Sequence, residues 1–350
     1  MRFALQADDE IEFEFPGGRL TLAAAPHPDF QKGDDPSLRI AHASSGDRST
    51  VYHLIDRQRG LDYALKIFKD GHHEGAERNE RLAEIAAFVR GLRMGEGLAC
   101  CDRICLTPEN AGPTLARYPA LGFSHLMPWL EGTTWFDVHQ RHETVRTLTP
   151  WHCLQIATSF TGTLAILEDW GIAHCNLNPV DILVDTAPRR MRVELLGIED
   201  LWSPRLREEG RRREPVPEYA HPLDTAPCLW SDRFPGALLI AEMLAWHSEE
   251  VTSEFQHQAE SLFTVEELAA RSSPKLPAVR WALQRHGLNI WALFLRAWES
   301  ASMSGCPSLE EWHAALQQVG REKIEYAWRR PPPRAAPMTL SIPQAVGAVK

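Results

Sequence analysis

His174-Cys175-Asn176-Leu177-Asn178-Pro179-Val180-Asp181-Ile182-Leu183-Val184 is the stretch on which the fold turns. Three polar side chains, His174, Asn176 and Asn178, alternate with Cys175, Leu177 and Pro179, and the run closes on Ile182-Leu183-Val184. Apolar residues at helical spacing precede it over 150–170. A short β-like patch spans 180–200. The stretch therefore reads as a polar loop between a helix and a strand pair, the kind of place where binding and catalytic side chains collect.

Upstream, the pattern is mostly of strand type. Ile11, Phe13 and Phe15 alternate with Glu12 and Glu14. Pro16-Gly17-Gly18 then turns the chain into Leu20–Ala25, which predicts a β-hairpin. Residues 26–36 read as a loop. Three short β runs follow at 38–43, 50–56 and 61–68, and residues 74–93 carry a helical stripe of Leu82, Ile85, Phe88, Val89 and Leu92. Strand-like runs return at 103–107 and 121–127. Helices are expected at 150–170, 232–247, 264–271, 276–300 and 308–319. The tail from Arg329 opens on Arg-Arg-Pro-Pro-Pro-Arg and has no periodicity.

Composition bounds the function. The 350 residues are 44% hydrophobic and 24% charged, enough to bury a sizeable core. A net charge of −10 argues against nucleic acid as the main partner, because phosphate backbones need a basic face. No apolar run is long enough for a membrane span or a secretory leader, so a cytoplasmic location without membrane partners is expected. Seven cysteines without a CxxC pair predict reduced thiols rather than a disulfide or zinc framework. Only six of the 37 basic residues are lysine, so a lysine at a chemically required place is informative.

One such lysine is Lys66, in Ala64-Leu65-Lys66-Ile67, fifteen residues after Val51 and behind Ser44-x-Gly46-x-x-Ser49. Met127-Pro128-Trp129-Leu130 then links the strand-rich region to the helical one. Further on come the 174–184 stretch, Glu218-Tyr219-Ala220-His221-Pro222-Leu223, and Ser231-Asp232-Arg233 opening a helix. In order and spacing this series resembles a protein kinase, and its style resembles divergent bacterial serine/threonine kinases. The resemblance covers about residues 38–320. It implies an α+β, bilobal kinase-like fold: a hairpin extension over 1–36, a small N-lobe over 37–128, a helical C-lobe over 129–328 and a Pro-rich tail over 329–350.

The resemblance also implies roles. Lys66 matches the phosphate-binding lysine, with Glu84 as its helix partner. Gly46 belongs to the phosphate loop. Val51, Ala64 and Leu183 match the residues that sandwich an adenine ring, Met127 the gatekeeper and Trp129 the hinge. His174 and Asp232 match the histidine and helix aspartate that brace the catalytic loop. The chemical positions depart from the pattern. Asn176 stands where the catalytic carboxylate belongs, and an amide is no base at neutral pH. Asn178 replaces the loop lysine. Gly197 occupies the metal-binding aspartate's place in D-F-G. Asp181 keeps a side chain able to hold a cation, and Glu199 or Asp200 would complete a metal pair after a slip in register, although a surface-loop role is expected for both.

These departures imply a pseudokinase that regulates or scaffolds a partner and binds ATP or ADP weakly, with doubtful use of Mg2+. By analogy the partner is a phosphatase or a von Willebrand A-type protein. The alternatives are an unorthodox phosphoryl- or nucleotidyl-transferase built on Lys66, Asp181 and Glu199 or Asp200, and an adaptor with an occluded pocket.

Overall fold

Alternating apolar residues build the N-terminal sheet. In β1 (Glu10–Phe15), Ile11 and Phe13 are buried while Glu12 and Glu14 face outward. The chain turns into β2 (Gly18–Ala24), with Phe15 opposite Gly18. The computed structural model describes residues 3–29, 39–46, 48–69, 76–95, 97–140, 148–185, 191–207, 215–224, 226–255 and 261–329. The Pro-rich tail from 330 and residues 208–214, with Arg211, Arg212 and Arg213, lie outside them.

β3 (Ala43–Ser45), β4 (Ser49–Asp56) and β5 (Leu61–Phe68) follow, then helix α1 (Ala76–Leu92). Next come β6 (Ile104–Cys105), helix α2 (Pro108–Arg117) and β7 (His125–Pro128). Among the described residues the strands form one antiparallel sheet in the order β1-β2-β4-β5-β7-β6, with β3 paired to β4. Ile11, Phe13, Leu22, Leu54, Leu65 and Leu126 make its core.

Three features differ from the expectation. The β1–β2 hairpin joins the sheet, since Ala23 and Ala24 pair with Ile55 and Leu54. In the run at 38–43 the described residues 39–42 make isolated bridges at Ile40 and Ala41, and the strand begins at Ala43. α2 lies between the two runs that read as strands, where no helix is expected. Its start is fixed by Thr107, whose backbone N–H donates to Asn110 Oδ1 at 2.9 Å, and by Pro108, which needs no N–H there.

The C-terminal part is helical. β8 (Thr133–Thr134) runs into α3 (Trp135–Gln140), and α4 (Pro150–Asp169) leads to the 174–184 loop. β9 (Ile182–Asp185) and β10 (Arg192–Leu195) form a three-stranded ribbon with β8. The helices after it are α5 (Arg233–Ala245), α6 (Glu249–Phe255), α7 (Val265–Ala270), α8 (Leu276–Gln284), α9 (Leu288–Trp298) and α10 (Leu309–Arg329). α5 is buried from Phe234 to Ala245 and has no solvent face, as its apolar sequence demands. The helix expected over 276–300 breaks at Gly287, whose φ of 152° is open to glycine and strained for other residues. The architecture is thus mixed α+β, with the sheet in the N-terminal part and the helices in the C-terminal part. Among the described residues no helix is long and apolar enough to cross a membrane.

The two parts meet along several contacts, two of them through the backbone. One is the chain running from β7 through Trp129 into β8. The other is residues 97–101. The Glu194 carboxylate of β10 accepts from the backbone N–H of Gly97 at 3.1 Å and of Ala99 at 3.0 Å, and Leu195 N–H donates to Gly97 O at 2.9 Å. Ile85 and Val89 of α1 belong to the same apolar cluster as the C-terminal helices.

Candidate functional site

Strand register assembles the site. Pairing of β4 with β5 sets Val51 directly opposite Lys66, and pairing of β5 with β7 sets Ala64 opposite Met127 and Lys66 opposite His125. The strands thereby bring an apolar patch and a lysine to the edge that faces the 174–184 loop. Between them lies a cleft of about 540 Å3. Among the residues singled out in the sequence, Gly46, Val51, Ala64, Lys66, Met127, Trp129, Asp181, Leu183, Gly197 and Glu199 all line it; Glu84, Asn176 and Asn178 do not. That volume suits a small organic ligand held by apolar walls and a few polar groups.

Lys66 Nζ donates to Glu199 Oε2 at 2.7 Å, and Arg103 Nη1 donates to Glu199 Oε1 at 2.6 Å. The Glu199 side chain is 9% exposed and that of Arg103 1%, so this is a buried ionic cluster. Burial works against the charge on Glu199, but Lys66 and Arg103 outweigh it and hold the carboxyl well below its ordinary range. His125 packs against Arg103 at 3.2 Å, and burial pushes its pKa down to about 4.

This geometry corrects two expectations. Glu84 is not the partner of Lys66. It accepts from the backbone N–H of Arg207 at 3.1 Å, while Arg81, one turn earlier on α1, reaches the Arg207 and Leu201 carbonyls at 2.8 and 3.0 Å. α1 thus presents its polar side to residues 201–207. Glu199 is no surface-loop acid, and both its oxygens already carry cationic donors. Asp200 remains a partly exposed neighbour. Among the described residues no group of three or more His, Cys, Asp or Glu is arranged to hold a metal ion.

The loop itself is braced from below. Asp232 Oδ2 accepts from His174 N–H at 2.5 Å and Oδ1 from Cys175 N–H at 2.9 Å. Cys175 takes a left-handed conformation, φ 64°, which this clamp holds in place. His174 Nε2 donates to Leu196 O at 2.7 Å, linking the loop to the strand end. Asn178 is a structural staple. Its Nδ2 bonds Asn176 O at 2.8 Å and Asp181 Oδ2 at 2.7 Å, and its Oδ1 accepts from Val180 N–H at 3.1 Å. Gly197 adopts φ 65°, and a Cβ there would fall 2.1 Å from Asp181 Oδ1. Asn176 is buried beside a separate cavity of about 40 Å3, and neither atom of its amide has a hydrogen-bond partner.

At the mouth of the cleft, Trp129 stacks on His53 with centroids 4.2 Å apart and meets His42 edge-on at 5.0 Å. The Nδ1 atoms of His42 and His53 lie 3.1 Å apart, close enough to share one proton. Burial, then the neighbouring His53 and His27, lowers the His42 pKa. The sequence reading missed Arg103, His42 and His53. Arg103 falls in a strand-like run with no motif, and the histidines are too widely spaced to show a pattern.

No protein-family model matches this sequence, and no curated protein matches it either.

Proposed function

We propose that this chain is a kinase-like pseudokinase. In this reading the sheet and helices are the two lobes of a kinase-like fold, the cleft between them binds an adenine nucleotide without transferring phosphate, and the protein acts by docking a protein partner. One observation carries the reading. The residues expected around an adenine ring converge on one cleft, whereas the groups that phosphoryl transfer needs are spent or missing. Lys66 is neutralised by Glu199, Gly197 has no side chain to offer a metal, and Asn176 turns its amide into the interior.

Val51, Ala64, Met127 and Leu183 would sandwich the base. In the antiparallel pairing of β5 with β7, Trp129 N–H donates to Asp62 O at 3.0 Å, so alternation directs the Pro128 carbonyl away from β5 as an acceptor for an exocyclic amine. The test is a titration with ATP, with and without Mg2+ or Mn2+, followed by thermal unfolding. A ligand at 100 times its Kd should add about 2.7 kcal/mol of stability. A stability gain without labelled phosphate transfer supports the reading. Transfer from ATP, or no gain under any condition, defeats it.

A further inference from the structure

The chemistry of the cleft walls bears on which nucleotide enters. Among the described residues, the charged side chains lining it are two cations, Lys66 and Arg103, and three carboxylates, Asp137, Asp181 and Glu199. Burial favours the protonated form of Asp181, although His174 and Lys66 oppose this. Even with Asp181 neutral, two cations face two anions, and the wall has no surplus positive charge. His42 and His125 add none near neutral pH, since burial lowers both. Lys66 and Arg103 are also already engaged by one carboxylate at 2.7 and 2.6 Å.

Several described groups of the loop over the cleft are already engaged within it. Gly46 donates its N–H to Ser49 O at 3.1 Å, closing the β3–β4 hairpin on itself. Ser45 Oγ and Thr50 Oγ1 are bonded to each other at 3.2 Å, and Lys69 holds the Gly46 carbonyl. These amides and hydroxyls satisfy the hairpin rather than a phosphate. A triphosphate would bring several negative charges beside Asp181 and Asp137 and would have to prise Lys66 from Glu199. Separating the pair costs Lys66 its buried counter-ion and leaves Glu199 to Arg103 alone. An uncharged nucleoside demands none of this and still fills the apolar slot.

We propose that the cleft selects a purine nucleoside, free or carrying a single phosphate, over the nucleoside triphosphate. This rests on the nucleotide-binding reading above. The experiment is calorimetric titration of the full chain with adenosine, AMP, ADP and ATP, each in EDTA and in Mg2+. Adenosine and AMP are expected to bind at least as tightly as ATP, with Mg2+ changing the ATP Kd by less than about threefold. ATP binding about tenfold or more tightly than AMP in either condition overturns the proposal and leaves nucleotide binding intact. Silence from all four ligands overturns both. Glu199→Gln, which releases Lys66, is expected to move the ATP-to-AMP preference towards ATP by about tenfold, and an unchanged ratio counts against the proposal. If that variant does not fold, the ranking on the natural chain decides.

Discussion

Lys66 and Glu199 stand 133 residues apart in sequence and 2.7 Å apart in space, and Arg103 completes the cluster from the other carboxylate oxygen. Removing Glu199 strands two buried cations. Glu199→Ala is expected to cost about 3–5 kcal/mol, and Lys66→Met less, because Arg103 still pairs with the remaining acid. The Glu199 pKa is depressed on folding, so its contribution is complete above its ordinary value of 4.5 and fades as pH falls below it. Urea denaturation between about pH 5 and about pH 3 checks both points. A Glu199→Ala protein as stable as the natural chain would show that the cluster contributes nothing.

Gly197 leaves no room for a side chain beside Asp181. A side chain there meets the Asp181 carboxylate 2.1 Å from Cβ, on top of a left-handed backbone. Gly197→Ala is expected to lose at least about 1–3 kcal/mol. Gly197→Asp should lose more, because it sets a second carboxylate against the first, and should not gain Mg2+-dependent stabilisation. Thermal melts with and without Mg2+ decide the matter. A stable, Mg2+-responsive Gly197→Asp would refute it.

Glu242 lies deep in α5, with Tyr219 Oη donating at 2.9 Å, Leu262 N–H at 3.2 Å and Trp135 Nε1 at 3.4 Å. Burial raises its pKa to about 7 in spite of these donors. For an acid raised on folding, the native state holds the extra proton, so stability falls as pH climbs from the unfolded value through about 7. Glu242→Gln should therefore gain on the natural chain as pH rises. The gain at about pH 8 relative to about pH 5 should be roughly 2–3 kcal/mol. Equal differences at both pH values would contradict this.

Asn176 carries an amide with no partner in a buried setting. Leucine has nearly its shape and no polar atoms, so Asn176→Leu should be neutral or stabilising by up to about 1–3 kcal/mol. Asn176→Asp should destabilise and should not switch on phosphate transfer, since Glu199 still occupies Lys66. Chemical denaturation and a labelled-ATP assay read the two outcomes. Restored transfer in Asn176→Asp would mean that the lysine is freely available.

The strands and the cleft were legible where local chemistry repeats. Alternation gave β1, β2, β4 and β5, and the fifteen-residue interval from Val51 to Lys66 is the length of a hairpin that puts the two opposite each other. That Glu84 does not partner Lys66 was not legible, because where α1 points its acids depends on its rotation. That rotation is set by Arg81 gripping the Leu201 and Arg207 carbonyls more than a hundred residues away. α2 was overlooked although Thr107-Pro108-Glu109-Asn110 is a helix start in miniature. The burial of Glu199 had no local sign either, since its counter-ions come from β5 and from the residue before β6.

The staple between Glu194 and residues 97–101 has a mechanical consequence. A sheet tied to its helical partner by one connecting strand can swing in many directions. Tied at a second point as well, it loses part of that freedom. Any opening of the cleft must then work against the contacts that cross the gap, Lys66 to Glu199 and Arg81 to Leu201.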